Sequence, residues 1–451
     1  MQPVHRKRAM STNARWLMTL PAVCRQRGPR AAVSALQFVR VAGAVAATLL
    51  AAVLAPPLNA TQLVNESALT RQQLLGKRLF FDAGLSHPGG QSCASCHDPS
   101  VAFTDPEKQA PTSNGVHPEL FGKRNAPSAM YMAFSPVFHF DPKDREFIGG
   151  QFSDGRAATL EEQAKAPFLN PLEMANPDRA TVIQSLSSGT NAALFLDVYG
   201  LSAFDDVDSA FDRLAQAIAA YERTADLAPF SSKFDAFTQG RVSLSQSELH
   251  GMRLFNDPAK ANCARCHTST PMADGTPALF TNFSYANIGV PKNAHNGFYN
   301  DPLAFNPDGT DFRDLGLGVT TGDPRTNGTF KVTTLRNVAT TGPFTHNGYF
   351  RTLDQVVDFY ATRDVKVACT DALTTVDDAE AMDCWPAAEV PGTLNHYEAG
   401  NLTISTQDRA DIVSFLTTLT DGYTVPEPTS LGLSLIGLAA LCCGRRRRHR
   451  N

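Results

Sequence analysis

Two short motifs with identical spacing constrain this chain more than any other feature. The first is Cys93-Ala94-Ser95-Cys96-His97, and the second, 170 residues later, is Cys263-Ala264-Arg265-Cys266-His267. At this spacing two thiols can bond to the vinyl groups of one haem while the histidine reaches the iron. A pair of zinc half-sites would instead need four convergent Cys or His ligands. The sequence therefore predicts two haem c groups, attached through the four motif cysteines and bound at iron by His97 and His267.

The residues that precede the two motifs also repeat. Gly76-Lys77-Arg78-Leu79-Phe80 and Gly251-Met252-Arg253-Leu254-Phe255 align without a gap. Apolar residues at helical spacing predict a helix before each motif, one over 68–81 and one that begins near 245. Further helices are predicted over 160–166, 180–185, 206–225, 353–360 and 406–419, whereas strand signals are scarce. We predict an all-α fold of two cytochrome c-like domains, 66–228 and 241–422, with long irregular loops around each haem.

Both ends of the chain have the composition of targeting segments. Residues 1–60 contain eight Lys/Arg, no acidic residue and an apolar run that is short for a transmembrane helix, which predicts a secretory signal peptide. At the other end, Pro426-Glu427-Pro428 precedes an apolar segment and four arginines, so 425–451 resembles the PEP-CTERM sorting tail of Gram-negative bacteria. That resemblance implies processing by an exosortase. We expect export to the periplasm or cell envelope, with transient inner-membrane anchoring by the C-terminal helix and an uncleaved anchor as the alternative.

The chain is acidic once these two ends are set aside. Residues 61–428 carry 27 Lys/Arg and 44 Asp/Glu, a net charge of −17. This charge argues against nucleic acid as a partner and favours a basic or neutral electron-transfer protein. Cys369 and Cys384 are the cysteines left outside the motifs and the ends, so we predict a disulfide between them in an oxidising compartment.

Several further motifs resemble the bacterial diheme cytochrome c peroxidase family, including its MauG-type branch. The resemblance spans about residues 66–420. It is carried, in family order, by Arg124-Asn125-Ala126-Pro127, Asp154-Gly155-Arg156-Ala157, Leu160-Glu161-Glu162-Gln163-Ala164, Asn170-Pro171-Leu172-Glu173-Met174, Leu335-Arg336-Asn337-Val338 and Gly342-Pro343-Phe344-Thr345-His346-Asn347-Gly348. It implies a peroxidatic first haem and a second haem that relays or stores electrons.

The resemblance also implies roles for residues around the first haem. Glu173 matches the distal glutamate, which as an acid or base moves a proton between the peroxide oxygens; a solvated or helix-capping glutamate is the alternative. Gln163 and Pro167 match other residues of the distal pocket. His117 lies near the position of a histidine that caps the first haem iron in resting peroxidases of the family. The loop after the haem motif differs in length, so a surface histidine is an equal alternative.

For the second haem, the informative residue is Tyr360. It follows His346 by fourteen residues, at a position where many peroxidases of the family have methionine and the MauG-type branch has tyrosine. The resemblance therefore implies a tyrosine ligand to the second iron, which would stabilise its ferric state, whereas methionine raises the potential. Packing of the ring against the haem is the alternative.

The resemblance further implies a calcium site and reveals one departure. Oxygen ligands for calcium would come from Asn125, Thr341 and Pro343. Ser153 stands where the family places a tryptophan between the haems. Electron transfer between the haems must then do without that tryptophan or use another aromatic residue such as Phe152.

These features lead to one leading hypothesis of function and two alternatives. The hypothesis is a peroxidase that reduces hydrogen peroxide to water with electrons from a small c-type cytochrome or another redox protein. The first alternative is peroxide-driven oxidation of a partner protein, as the MauG-type branch implies. The second is a diheme electron carrier without enzymatic activity. The sequence leaves open whether the protein forms a homodimer.

Overall fold

The structure is a computed structural model and describes residues 65–425. The predicted signal peptide, 1–60, and the sorting tail from residue 426 onwards lie outside the described residues. Within the described range, no helix is both long enough and apolar enough to cross a membrane.

The described residues form helices joined by long irregular segments and a few very short strands. The helices are α1 Arg71–Phe80, α2 Cys93–Cys96, α3 Leu160–Leu169, α4 Arg179–Ser188, α5 Ala192–Tyr199, α6 Val207–Glu222, α7 Lys233–Thr238, α8 Gln246–Asn256, α9 Leu317–Thr321, α10 Leu353–Thr362, α11 Val376–Ala381 and α12 Thr406–Thr417. The strands are β1 His139–Asp141, β2 Glu146–Ile148, β3 Tyr285–Ala286, β4 Phe330–Lys331, β5 Val367–Ala368 and β6 Cys384–Trp385.

The predicted helical framework agrees with this architecture, and the strands are the main addition. β1 and β2 form an antiparallel hairpin with Phe140 opposite Phe147, inside a segment that reads from sequence as loop. β3 and β4 pair antiparallel, and β5 and β6 pair parallel beside the Cys369–Cys384 disulfide, which confirms the predicted bridge. These strands have two or three residues each, too short to produce a period-2 pattern that could be read from the sequence.

The internal repeat corresponds to two equivalent helix crossings. α1 packs across α6 and α8 packs across α12. A Cβ atom on Gly76 would lie 1.8 Å from the Ala217 carbonyl oxygen, and one on Gly251 would lie 1.9 Å from the Asp411 carbonyl oxygen. Only glycine allows the helix backbones to approach so closely. Reciprocal capping boxes at Thr70 and Ser245 start the two helices by satisfying their first N–H groups.

Apolar side chains from these crossings build separate cores. The first core surrounds α6 and includes Phe80, Phe103, Phe168, Phe211 and Leu214. The second core includes Ile412 and four phenylalanines, Phe234, Phe255, Phe280 and Phe415, whose rings meet mostly edge to face. A third cluster, around Phe350, Phe359 and Trp385, lies under the disulfide. Phe234 comes from α7, so the segment 228–241, which was expected to link the halves, contributes to the second core.

Buried ion pairs and hydrogen bonds join the two halves. The Arg124 guanidinium contacts Asp314 at 2.6 Å and Asp154 at 2.6 Å, with all three side chains at most 8% exposed. The Tyr131 hydroxyl donates to Asp421 over 2.7 Å. Because an unpaired buried charge is costly, these contacts fix the segment that runs between the two motifs.

Candidate functional site

In the first motif, His97 is oriented so that one of its ring nitrogens can bind a metal. Cys93 and Cys96 lie at the two ends of α2, and His97 follows directly as its C-cap. The Nδ1 atom of His97 lies 3.1 Å from the Phe103 carbonyl oxygen, and burial lowers the pKa of the imidazole. A neutral ring that donates from Nδ1 leaves Nε2 as the metal-binding atom, which is the usual arrangement for a histidine ligand.

The second motif repeats this arrangement on a single turn of 3₁₀ helix, Cys263–Arg265. The Nδ1 atom of His267 lies 3.0 Å from the Phe280 carbonyl oxygen, and burial lowers the pKa of this imidazole to about 4. Both histidines are therefore held neutral and oriented by one backbone carbonyl. The two motifs match in geometry as well as in spacing.

The surroundings of the second motif suit a large flat group bonded through the two thiols. A cavity of about 300 Å³, within the range of small-molecule sites, opens beside Cys263, Cys266 and His267. Its walls are largely apolar and include Phe255, Phe344, Leu353, Val357, Leu402 and Leu416. At both motifs burial raises the pKa of the thiols, so they are neutral at pH 7. The donor set and the apolar walls fit a covalently attached haem.

The structure brings Glu173 to the first motif. Its charge contributes to the raised pKa of both Cys93 and Cys96, so the carboxyl lies within electrostatic range of the two thiols. The Asn170 amide donates to Glu173 Oε1 over 2.9 Å and fixes the carboxyl orientation. Burial raises the pKa of Glu173, although the positive charge of Arg156 and the bond from Asn170 oppose that rise. Such a group holds a proton more readily than an exposed glutamate and can exchange it.

The other predicted residues of the first site lie on the same two segments. Gln163 and Pro167 are one turn apart on α3 and so face the same side of that helix. The Pro167 carbonyl accepts a bond from the Met174 N–H over 3.2 Å, which joins the end of α3 to the turn that carries Glu173. His117 is half-buried in a loop whose Val116 N–H donates to the Glu173 carbonyl over 2.8 Å. The loop that carries His117 therefore lies against Glu173. The role of His117 as an iron ligand stays a proposal.

A second buried carboxyl near the first motif escaped the sequence reasoning. Glu222, at the end of α6, is 7% exposed, and its Oε2 atom has no hydrogen-bond partner. Burial raises the pKa of Glu222 to about 8. Among the nearby charges, that of Glu222 has the largest effect on the pKa of Cys93. The signal in the sequence was an acidic residue next to Tyr221 on the apolar face of an amphipathic helix.

Tyr360 lies at the second motif, as the resemblance implied. The side chain projects from α10 into the cavity that contains His267. Burial, with the neighbouring Cys266 and Cys263 sulfurs, raises the pKa of the Tyr360 phenol. The α10 helix is held at this point because the Gly400 N–H donates to the Tyr360 carbonyl over 2.6 Å. Whether Tyr360 binds iron stays a proposal.

The segment with Ser153 runs between the two sites. Ser153 lines the cavity beside the second motif, and its backbone carbonyl oxygen accepts a hydrogen bond from the Lys331 N–H over 2.8 Å. Phe152, the alternative bridging aromatic residue, lies under Arg156, whose guanidinium carbon is 3.5 Å from the centre of the ring. The charge of Arg156 opposes the rise in the pKa of Glu173, so the Phe152–Arg156 pair lies within electrostatic range of the first site, whereas Ser153 lines the cavity beside the second motif. The sequence motif Asp-Gly-Arg marked Arg156 but did not indicate this role.

The three residues predicted to bind calcium all line the second cavity. The side-chain amide nitrogen of Asn125 lies 2.6 Å from the Pro343 carbonyl oxygen. Rotation of that amide by half a turn would present two oxygens, since amide nitrogen and oxygen exchange places. The Thr341 hydroxyl donates to the Val338 carbonyl, which leaves the Thr341 carbonyl as its remaining oxygen donor. These groups are the oxygen donors that calcium prefers.

Comparison with known proteins relates the chain to two described sequence families. The profile of the di-haem cytochrome c peroxidase family matches residues 70–243, and that of the PEP-CTERM protein-sorting motif matches residues 424–448. The methylamine utilization protein MauG of Paracoccus denitrificans is 38% identical over 354 residues, which cover 77% of this chain and 88% of that protein. The cytochrome c551 peroxidase of Nitrosomonas europaea is 34% identical and covers 63% of this chain and 71% of its own length.

A solved structure gives the same relationship. The diheme peroxidase BthA from Burkholderia thailandensis superposes with a TM-score of 0.63 at 34% sequence identity. The alignment covers 80% of this chain and 89% of BthA. The likeness therefore extends over both halves of the described fold.

Proposed function

Because the chain belongs to the di-haem cytochrome c peroxidase family, we propose that it is an oxidoreductase that reduces hydrogen peroxide to water with electrons from a small redox protein. The observation that carries this proposal is the half-buried carboxyl of Glu173, oriented by Asn170 and within electrostatic range of the two thiols of the first motif. A haem c bound at each motif would supply the iron that takes up peroxide and moves electrons.

Glu173 is the group that we assign to proton transfer. Reduction of one peroxide molecule consumes two electrons and two protons and yields two water molecules, so a proton donor must face the reacting oxygens. Burial favours the protonated form of Glu173, and Asn170 holds one oxygen so that the other can face the site. Gln163 and Pro167 would complete the wall of this pocket. A carboxyl in such a place contributes about 10²–10⁴-fold to the rate of a proton-coupled step.

The second site is assigned to electron transfer. His267 and Tyr360 line the same cavity, so we propose that both would bind the iron of a haem attached there. With two protein ligands, that haem would supply electron transfer and not peroxide binding. We further propose that Asn125, Thr341 and Pro343 hold a calcium ion that fixes the segment between the sites.

The domain and targeting assignments also remain proposals. We propose that 66–228 and 241–422 are the two haem-binding domains and that 1–60 is a signal peptide. The PEP-CTERM motif supports export to the envelope of a Gram-negative bacterium and processing by an exosortase.

Steady-state kinetics of the holoenzyme test this function. With a reduced small c-type cytochrome as donor, we expect peroxide-dependent oxidation of two donor molecules per peroxide. Glu173→Gln should abolish most of this activity while both haems stay attached. An absence of peroxide turnover with any donor, together with two six-coordinate low-spin haems, would instead support a diheme electron carrier.

Peroxide-driven oxidation of a partner protein is the second candidate function. Tyr360 favours it, because a phenolate ligand stabilises oxidised iron, and so does the 38% identity to the MauG protein. The two functions differ in which protein is oxidised, a small electron donor in the first case and a modified partner protein in the second. If peroxide leaves a stable oxidised enzyme that small cytochromes reduce slowly, the second candidate replaces the first.

A further inference from the structure

The disulfide loop, which we define as residues 365–385, links an outer surface to the helix that carries Tyr360. The Cys369–Cys384 bridge and the parallel pair β5–β6 close the loop. On its inner side Val376, Ala379 and Trp385 are buried in the third cluster together with Phe359 of α10. The loop is therefore a packed element with a defined outer face.

The outer face of the disulfide loop is unusually apolar. Four large apolar side chains are exposed there: Val365 by 61%, Val367 by 70%, Leu373 by 48% and Met382 by 56%. Val367 lies opposite Cys384 in the β5–β6 pair, and the Lys366–Asp383 salt bridge of 3.0 Å brings the Met382 turn to the same edge. Exposed apolar residues that cluster in one segment are typical of an interaction surface.

The charges of the loop itself are almost all negative, and the neighbouring Arg351 pairs with one of them, Asp377, at 3.7 Å. The loop carries five exposed acidic residues, Asp371, Asp377, Asp378, Glu380 and Asp383. Its one basic residue is Lys366, and the ammonium group of Lys366 is bound by Asp358 and Asp383. A second copy of this acidic chain would be repelled here, whereas a basic protein would be attracted. Charge therefore selects a basic partner.

Trp385 connects this face to the second site. Its ring centre lies 5.2 Å from that of Phe359, and Phe359 is next to Tyr360 on α10. The indole N–H donates to the Thr362 hydroxyl over 2.9 Å, so the ring is fixed against the same helix. A path from the loop towards the second motif thus runs from Trp385 to Phe359 by ring contact and from Phe359 to Tyr360 along the backbone of α10.

We propose that the disulfide loop is the docking surface for a small redox protein whose contact face has an apolar centre and a basic rim. The proposal rests on the proposed function, because the docked protein is the electron donor of that reaction. Each docking event oxidises the donor by one electron and reduces the enzyme by one electron. Two events and two protons from solvent then convert one hydrogen peroxide into two water molecules.

The first test measures docking without turnover. Calorimetry would record the binding of an oxidised, strongly basic small c-type cytochrome to the holoenzyme at low ionic strength in the absence of peroxide. Val367→Lys combined with Met382→Lys should weaken this binding about tenfold by adding like charge and removing apolar contact. The control is Val319→Lys, at a valine that is 65% exposed on α9, and it should leave the binding constant within twofold.

Equal effects of the loop variant and the α9 control would overturn the proposal. So would a loop variant that changes the sedimentation mass but not the binding constant, because the face would then join copies of this chain. Since no peroxide is present, failure to bind is distinguishable from failure of the peroxidase function, which a neutral small-molecule donor measures separately.

The second test concerns the path through Trp385. Trp385→Phe should leave the cytochrome binding constant unchanged and slow the single-turnover transfer of an electron from the docked reduced cytochrome. Tyr349→Phe, in the same cluster, removes a polar group that bonds to the Thr374 carbonyl and should not slow the transfer. An unchanged transfer rate in Trp385→Phe would exclude this path.

Discussion

Helix α1 crosses α6 at Gly76, and helix α8 crosses α12 at Gly251, with nearly the same close approach to a carbonyl oxygen. In both halves the motif histidine then donates from Nδ1 to a phenylalanine carbonyl, Phe103 or Phe280. The two halves therefore present the two iron-binding imidazoles in the same way. A duplicated scaffold alone would give two equivalent haem sites.

The groups around the two motifs make the halves unequal. The first site has two carboxyls whose pKa values are raised by burial, the half-buried Glu173 and the buried Glu222, whereas the second has the phenol of Tyr360. A carboxyl that exchanges protons suits peroxide reduction, and a phenolate ligand suits a closed electron-transfer site. Function here therefore depends on the loops and helices added around the scaffold.

The largest expected effect is on catalysis at the first site. Glu173→Gln keeps the shape of the side chain but removes its acid–base function, so the peroxide turnover number should fall about 10²–10⁴-fold. The control is Glu389→Gln, because Glu389 is a buried carboxyl that lines the second cavity. We expect the control to change turnover less than tenfold. Equal losses in the two variants would contradict the assignment of the proton chemistry to the first site.

The disulfide should stabilise the second half only. Loss of a cross-link that closes a loop of 15 residues is expected to cost about 3 kcal/mol, so Cys369→Ser with Cys384→Ser should lower the free energy of unfolding by that amount. Trp385 fluorescence during denaturant unfolding would report the change. Wild-type protein in the presence of a reductant should reproduce it. An unchanged denaturation midpoint would show that the bridge contributes nothing to stability.

The two repeated helix crossings should be destabilised equally when their glycines are replaced by alanine. Gly76→Ala and Gly251→Ala each place a methyl group inside the contact distance of a carbonyl oxygen and should each destabilise the fold by about 1–3 kcal/mol. Gly392→Ala is the control, because a Cβ atom there would have no neighbour within 4 Å. Thermal unfolding would measure all three. Tolerance of alanine at one crossing alone would refute the equivalence of the scaffolds.

The smallest expected effect is a pH dependence of stability from Glu222. The pKa of Glu222 is raised by burial from an ordinary value near 4.5 to about 8 in the folded state, so between these values the folded chain holds a proton that the unfolded chain releases. Folding stability should therefore fall as pH rises from about 5 to about 8. Glu222→Gln should remove this slope, so the variant should gain stability relative to wild type as pH rises through the range. Glu119→Gln, at an exposed glutamate, should keep the wild-type slope.

The scaffold could be predicted from sequence because it depends on local signals. The two motifs, the helix repeat and the capping residues at Thr70 and Ser245 are all short patterns. The helices Ala192–Tyr199 and Val376–Ala381 were missed because each is too short to show a helical period in the sequence. The resemblance to a known family supplied Glu173 and Tyr360, and their roles stay predictions.

The remaining parts of the site depend on contacts between distant segments. Arg156 stacks on Phe152, only four residues before it, yet no local pattern shows that the charge of Arg156 acts on Glu173. Lys331 is likewise a single polar residue in a strand, yet its ammonium group is buried and donates to the Gly150 carbonyl over 2.6 Å. Such pairings follow from the packing of the two halves and cannot be read from local spacing.

Electron paramagnetic resonance of the resting ferric holoenzyme would show whether the two sites differ, because it reports the ligands of each haem separately. We expect one high-spin haem, present at rest or produced on half-reduction, that responds to peroxide, and one low-spin haem that does not. Tyr360→Phe should change the low-spin signal alone. Two equivalent low-spin signals, both unaffected by peroxide and by Tyr360→Phe, would contradict the inequality of the two sites.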